Sequence, residues 1–273
     1  MIRYGISTWI VRDVSADKAI ELMAANGFRE VEISADAAAI TKEWEKDPER
    51  TTQRLERAGF EVLEVHTPEP GRSLDALDDA LRLASLEANY TYFDLMRRCG
   101  AKWLVVHLIG ARDKSPADSR AARKAQCLES LKALADRAGR MGIGLAVENL
   151  PGGNKGARPC DSMGELREMI AGLGGHVRLC FDIGHAVMKG FDPVQEIKTA
   201  GDQLISLHLH DVNSAGKDHF IPGEGVIDWQ AVLSQFDAMN FTGIRTIEIS
   251  PPQGDVEQRV AQTAALRRQW ESR

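Results

Sequence analysis

Eight short β-rich segments recur along the whole chain at near-equal spacing: "IRYGIS", "EVEIS", "EVLEVH", "WLVVH", "GLAVEN", "VRLCFD", "LISLHLH" and "RTIEIS". Between them lie stretches with helical spacing, among them "SADKAIELMAANG", "LDALDDALRLASLEANYTYFDLMRRCG", "ADSRAARKAQCLESLKALADRAGRMG", "SMGELREMIAGLG" and "DPVQEIKTAG". A helix between successive strands rules out hairpins and demands parallel neighbours, joined by right-handed crossovers that cover the sheet. Eight such units, with no Pro/Ser-rich linker between any two, predict one domain over residues 1–273: a single (β/α)8 TIM barrel. An open doubly wound sheet would also alternate. It lacks support here, because no G-x-G-x-x-G follows the first strand and the units fill the chain evenly.

The local signals agree with this pattern. Ser15 stands where an N-cap is needed before the apolar positions Ala19, Ile20, Leu22 and Met23, and Gly27 supplies the stop. The stretch from Asp36 to Pro48 reads as an insertion after the second strand, on the face where barrels keep their active-site loops. The C-terminal "RRQWESR" reads as the tail of a surface helix or an oligomer contact.

Hydrophobic residues make up 43% of the 273 and charged residues 27%, enough apolar material for a real core. Net charge is -6, which gives no overall field favouring a polyanion, so nucleic acid is an unfavoured partner. No apolar run approaches the ~18 residues of a membrane span, and "MIRYGISTWIVRD" has no secretory-signal pattern. A cytoplasmic enzyme is the expectation. Cys99, Cys127, Cys160 and Cys180 form no C-x-x-C pair and are expected to be reduced packing residues.

The later segments share a further property: each carries a group able to ligate a metal at or near its end. These are His66, His107, Glu148, Asp182, His208 and Glu248. In a barrel the C-terminal strand ends converge on one face, so these residues become neighbours around the axis. Carboxylates gathered there would repel by ~4 kcal/mol per pair at 4 Å and an effective dielectric near 20. A divalent cation removes the conflict. Two Glu, one Asp and one His form a hard set suited to one Mn²⁺, Mg²⁺ or Co²⁺ ion, and to Zn²⁺ with incomplete coordination. Asp182 is therefore read as a ligand and His185, three residues on, as a group reaching substrate or a second metal. The plainer alternative is that Asp182 caps the next helix and His185 packs on it.

Taken in order, "VENLPGG", "LCFDIGHAVMKGFDP", "LHLHD", "HFIPGEGVIDW" and "TIEIS" resemble the xylose isomerase-like TIM-barrel superfamily, specifically its sugar phosphate isomerase/epimerase group, which also includes endonuclease IV. The resemblance covers essentially the whole chain. It implies metal ligation by Glu148, Asp182, His208 and Glu248, with Mn²⁺ the leading expectation. It also implies a small sugar or keto-polyol substrate, and barrels paired as dimers or tetramers. In that group the substrate is isomerised or epimerised through a cis-enediolate, with Glu148 and Glu248 as the acid/base pair; one of the two must then be held loosely enough to stay basic. His185 and His219 would contact substrate oxygens, and His66 and His107 would bind substrate or a second metal. Asp228 would cap the helix after the loop Pro222 to Gly225.

Three alternatives accompany this reading. The same site could expel water, as in dehydratases acting on inosose or dehydroshikimate. The histidines His66, His107 and His219 also match those of endonuclease IV, but that enzyme's D-x-H arrangement has Lys217 in place of its Asp, which speaks against abasic-site cleavage. A barrel serving only as a binding module would not need the ligand set. Trp9, after the first strand, is a candidate apolar wall against a sugar ring or a core residue, Glu32 a candidate for a hydrogen bond in the mouth or for a barrel salt bridge, His210 a group supporting the ligands, and Arg158 a weak candidate for a substrate phosphate.

Overall fold

The computed structural model describes residues 3–35, 38–110, 119–151, 159–251 and 254–273. The strands are β1 (Gly5–Ser7), β2 (Glu30–Ile33), β3 (Glu61–His66), β4 (Trp103–Val106), β5 (Gly144–Glu148), β6 (Val177–Asp182), β7 (Leu204–Leu209) and β8 (Ile244–Ile247). Each pairs in parallel with the next, and β1 closes on β8 through Gly5↔Thr246 and Ile6↔Ile247. The result is a single (β/α)8 barrel, as the repeat predicts.

The wrapping helices are α1 (Ala16–Ala25), α2 (Ala39–Lys46), α3 (Pro48–Arg57), α4 (Asp79–Cys99), α5 (Arg120–Met141), α6 (Met163–Ile170), α7 (Ile183–Met188), α8 (Pro193–Ala200), α9 (Trp229–Ala238) and α10 (Val256–Glu271). Their starts follow from the sequence. Side chains of Ser15, Asp47, Asp78, Ser162, Asp192, Asp228 and Asp255 each accept an N–H from the first turn that no helical carbonyl could satisfy. Gly100 and Gly142, with φ of 78° and 70°, end α4 and α5 in the left-handed conformation that glycine adopts without strain.

Two expectations hold with added detail: both α2 and α3 stand between β2 and β3, and "RRQWESR" forms the tail of α10. The stretch read as an insertion after β2 holds α2, whose Ile40 and Trp44 lie one turn apart and are both buried in the main core; residues 36 and 37 fall outside the described residues. The terminal Trp270 is also core, 7% exposed and packed on Tyr4 and Trp229 at ring separations of 5.3 and 5.2 Å. Aromatic packing inside the chain accounts for it. The cysteines are free, and three of the four are buried.

The apolar core lies chiefly between strands and helices, where Leu104, Val106, Leu145, Val147, Leu179, Phe181, Leu207 and Leu209 are buried. Fully burying such a side chain stabilises by roughly 1.5–3 kcal/mol. The alternate residues of the same strands turn inward. Val105, Ala146 and Cys180 make a small separate cluster there, and every other inward position one step along is polar: Glu148, Asp182, His208. Strand alternation therefore places the candidate ligands inside the barrel mouth.

Candidate active site

Glu148 ends β5, Asp182 ends β6, His208 lies in β7 and Glu248 follows β8. All four are buried, and one ligand atom from each lies within 4.8 Å of the others. The imidazoles fill the space between carboxylates. His208 Nδ1 is 3.2 Å from Glu148 Oε1 and 3.2 Å from Glu248 Oε2, and His107 Nε2 is 2.7 Å from Glu148 Oε2. His66 Nε2 and His185 Nδ1 approach Glu148 at 3.4 Å each, and His219 Nε2 comes within 3.5 Å of Glu248. Trp9 meets the His219 ring edge-on at 4.6 Å. Every residue named from the sequence as a ligand or substrate contact is thus in one cluster, apart from Arg158, which lies outside the described residues.

Electrostatics follow from this interleaving. Burial pushes the carboxyls of Glu148 and Glu248 up, but the adjoining histidines outweigh it and hold both well below the usual carboxylate range. Burial drives His107 down to about 4, leaving a neutral ring. His219 goes the other way: burial opposes its charge, yet the Asp218 and Glu248 carboxylates raise it to about 10. Asp218 is correspondingly depressed to about 2, burial being outweighed by its hydrogen bond to His219. The mouth therefore contains ionised bases beside a strong cationic donor.

The two readings of Asp182 are compatible in one geometry. Its Oδ1 caps α7 by accepting the His185 N–H at 2.7 Å, while its carboxylate also belongs to the ligand cluster. Asn149 fixes its backbone from both sides, donating from Nδ2 to Asp182 O and accepting from Asp182 N, each at 2.9 Å. His185 Nδ1 is 3.0 Å from the Asn149 carbonyl, to which it donates, so its Nε2 is the nitrogen left for a ligand.

Sequence reading gave His210 only a supporting role, and that role is specific. Its Nδ1 accepts the His219 backbone N–H at 2.9 Å, so the proton sits on Nε2, 2.9 Å from the Asp182 carboxylate. The ring also stacks on His219, centroids 3.9 Å apart. Asp211 escaped notice altogether. Its carboxylate accepts from Val212 N, Gly223 N, Ile227 N and Trp229 Nε1 at 2.8–3.2 Å, and its backbone pairs with Phe220. One carboxylate thereby folds the loop that delivers His219, which adopts φ 59° and is tied to Ser250 N through its carbonyl. The signal was the "HD" pair at the end of β7, where a second acid follows the ligands. Lys217 is exposed in that loop, and Asp218 ion-pairs with His219 at 3.3 Å.

Beneath the cluster the barrel interior stays polar. Glu32 Oε2 is 2.9 Å from His208 Nε2. Glu64 accepts from Ser206 Oγ at 2.7 Å and Thr246 Oγ1 at 2.6 Å; burial, with Glu32 close by, pushes its carboxyl up to about 7. No helix among the described residues is long and apolar enough to cross a membrane.

Residues 20–269 match the model of a family described as xylose isomerase-like TIM barrel. Among curated proteins, an uncharacterized protein of Sinorhizobium fredii is 34% identical over 65 residues; the match spans 24% of this chain and only 21% of that protein's length. Among solved structures, a D-tagatose 3-epimerase-like protein superposes with TM-score 0.83 at 19% identity, covering 99% of this chain and 97% of that one. The IolI protein, solved with a binding zinc atom, gives TM-score 0.80 at 17% identity, covering 99% and 96%. Likeness at these identities shows a shared fold.

Proposed function

Because the chain belongs to the xylose isomerase-like TIM-barrel family, we propose that it is a divalent-metal-dependent epimerase or isomerase of a ketose, keto-polyol or related keto-sugar. The observation that carries the reading is the convergence of three buried carboxylates and one imidazole on a common point. Such a set suits a hard divalent ion, and Glu148, Asp182, His208 and Glu248 would hold it. The zinc in the IolI structure and the name of the epimerase-like neighbour support the same assignment; Mn²⁺ is the ion we expect to sustain turnover. Once bound, the ion would supply Lewis acidity that polarises a carbonyl and eases proton loss from the adjacent carbon.

The chain's own residues account for the rest of the chemistry. Glu148 and Glu248, both held as carboxylates before substrate arrives, are the acid/base pair: one removes the carbon-bound proton, leaving a cis-enediolate, and the other returns a proton that it has first taken from solvent or, for Glu248, from the adjoining His219 imidazolium. Return on the opposite face inverts the carbon. His219, cationic and within 3.5 Å of Glu248, donates to a substrate oxygen as negative charge develops there. His185 offers Nε2 to a hydroxyl, and His66 and His107 contact the substrate from the β3 and β4 side. Trp9 covers an apolar face of the sugar.

The test is direct. Mn²⁺-loaded protein is incubated with a panel of ketoses and keto-polyols, and products are followed by NMR. Appearance of an epimer or an aldose/ketose partner supports the reading. Loss of water would reassign the site to a dehydratase, and cleavage of abasic DNA by the zinc-loaded protein with no sugar turnover would overturn it.

A further inference from the structure

His208 is held at both ring nitrogens, and only one of the two nitrogens faces the ligand cluster. Nδ1 faces Glu148 Oε1 and Glu248 Oε2 at 3.2 Å each. Nε2 faces the opposite way, 2.9 Å from Glu32 Oε2 on β2, across the barrel interior. Both side chains are completely buried. Glu32 Oε1 has no hydrogen-bond partner, so His208 is the one hydrogen-bonding partner this carboxylate has among the described residues. His66 stacks near-parallel on the ring, 5.8 Å between centroids and 21° between planes, limiting tilt but not a flip about the Cβ–Cγ bond.

We infer that Glu32 is a positioning residue: its carboxylate holds the proton of His208 on Nε2 and keeps Nδ1 turned to the metal. The inference rests on the metal-dependent reading above and deepens it. A half-turn of the ring would place carbon where each nitrogen now stands. Glu32 would then be a buried carboxylate facing a C–H, and the cluster would lose its only nitrogen donor. The flip is therefore opposed from below rather than from the mouth. A carboxylate accepting the far N–H also makes the ligating nitrogen a better donor, which is how outer groups tune a metal site. Register makes the contact available: Glu32 lies beside Ser7 on β1 and Glu64 on β3, one layer beneath the mouth.

The experiment uses the full chain, with zinc as the diamagnetic probe. In zinc-loaded protein labelled with ¹⁵N-histidine, the wild type should show His208 ligated through Nδ1, with a downfield, slowly exchanging Nε2–H. Zinc affinity, measured by competition with a chromogenic chelator, should fall ~10–100-fold in Glu32→Gln, with that proton shifted or lost. Thr246→Val removes a hydrogen bond to Glu64 from the same buried layer; Thr246 lies opposite His208 in the β7–β8 register, but its hydroxyl does not bond the His208 ring, so the variant should stay within about twofold of wild type.

Zinc on Nε2 in the wild type would overturn the inference even if no variant folded. So would Glu32→Gln with unchanged affinity and an unchanged proton signal, or equal losses in Glu32→Gln and Thr246→Val. If the wild type bound no zinc, Mn²⁺ or Co²⁺, the functional reading itself would fall; a wild type that binds normally alongside an unaffected Glu32→Gln defeats only the positioning role.

Discussion

Two polar layers lie one above the other inside this barrel, and they solve the same electrostatic problem differently. In the mouth, the carboxylates of Glu148, Asp182 and Glu248 are interleaved with His66, His107, His185, His208, His210 and His219. One layer down, Glu32 and Glu64 have just one imidazole between them, and Glu64 relies on two hydroxyls. Glu148 and Glu248 are consequently held ionised, while Glu64 is pushed up to about 7 and is largely protonated below that pH. Carboxylates held ionised, as Glu148 and Glu248 are, can bind a cation and move protons; a carboxyl that takes up a proton, as Glu64 does, serves instead to hold what lies above it.

That contrast can be broken most severely at Glu248. Glu248→Gln keeps the shape but removes a base and a ligand charge, and turnover should fall by more than ~10³-fold with the far-UV circular dichroism unchanged. Comparable activity in this variant would deny the mouth its catalytic role. Asp182→Asn should weaken metal binding by more than ~100-fold, measured by calorimetry, because it removes charge from the ligand set while leaving an acceptor for the helix cap. In the lower layer Glu64→Gln tests the sign of the difference. A carboxyl raised from 4.5 to about 7 in the folded state binds its proton more tightly there than in the unfolded chain. Its contribution to the metal-free protein is therefore full below pH ~4.5 and is lost as pH rises to ~7. Denaturant unfolding of wild type relative to Glu64→Gln should reveal a loss of about 3 kcal/mol across that window, levelling off above it.

Smaller effects sharpen the boundary between binding and orientation. Asn149→Ala removes both bonds to the Asp182 backbone and should lower metal affinity ~10–100-fold, like other losses of support to a ligand. Trp9→Ala should act at the rim alone, raising KM by about tenfold with little change in kcat, the pattern of lost uniform binding. A kcat effect there as large as that of Asn149→Ala would mean that Trp9 organises His219 rather than substrate.

The mouth was largely legible in the sequence because strand alternation and parallel closure together assign a place to each terminal residue: "GLAVE", "VRLCFD" and "RTIEIS" each put a carboxylate at the inward end. The lower layer was not. Glu64 in "EVLEVH" and Ser206 in "LISLHLH" sit where period-two reading gives only an inward side, and their partners, 142 residues apart, are set by barrel shear that no local pattern reports. Asp211 was hidden for a related reason, since its contacts are with backbone groups of a loop whose path the sequence does not describe. The stretch after β2 teaches a third lesson. Its two large apolar residues, Ile40 and Trp44, already had helical spacing, but a single turn of periodicity is a weak signal beside the charged residues around it.

The central claim is that this mouth removes a proton from carbon beside a carbonyl. Solvent deuterium incorporation, followed by mass spectrometry on a panel of ketoses, inososes and keto-acids with Mn²⁺-loaded protein, tests it most directly. The account predicts uptake of one deuterium into at least one compound, and none with Glu248→Gln. Every compound returning unlabelled and unchanged from protein shown to hold its metal would contradict it, as would undiminished exchange in the Glu248→Gln variant.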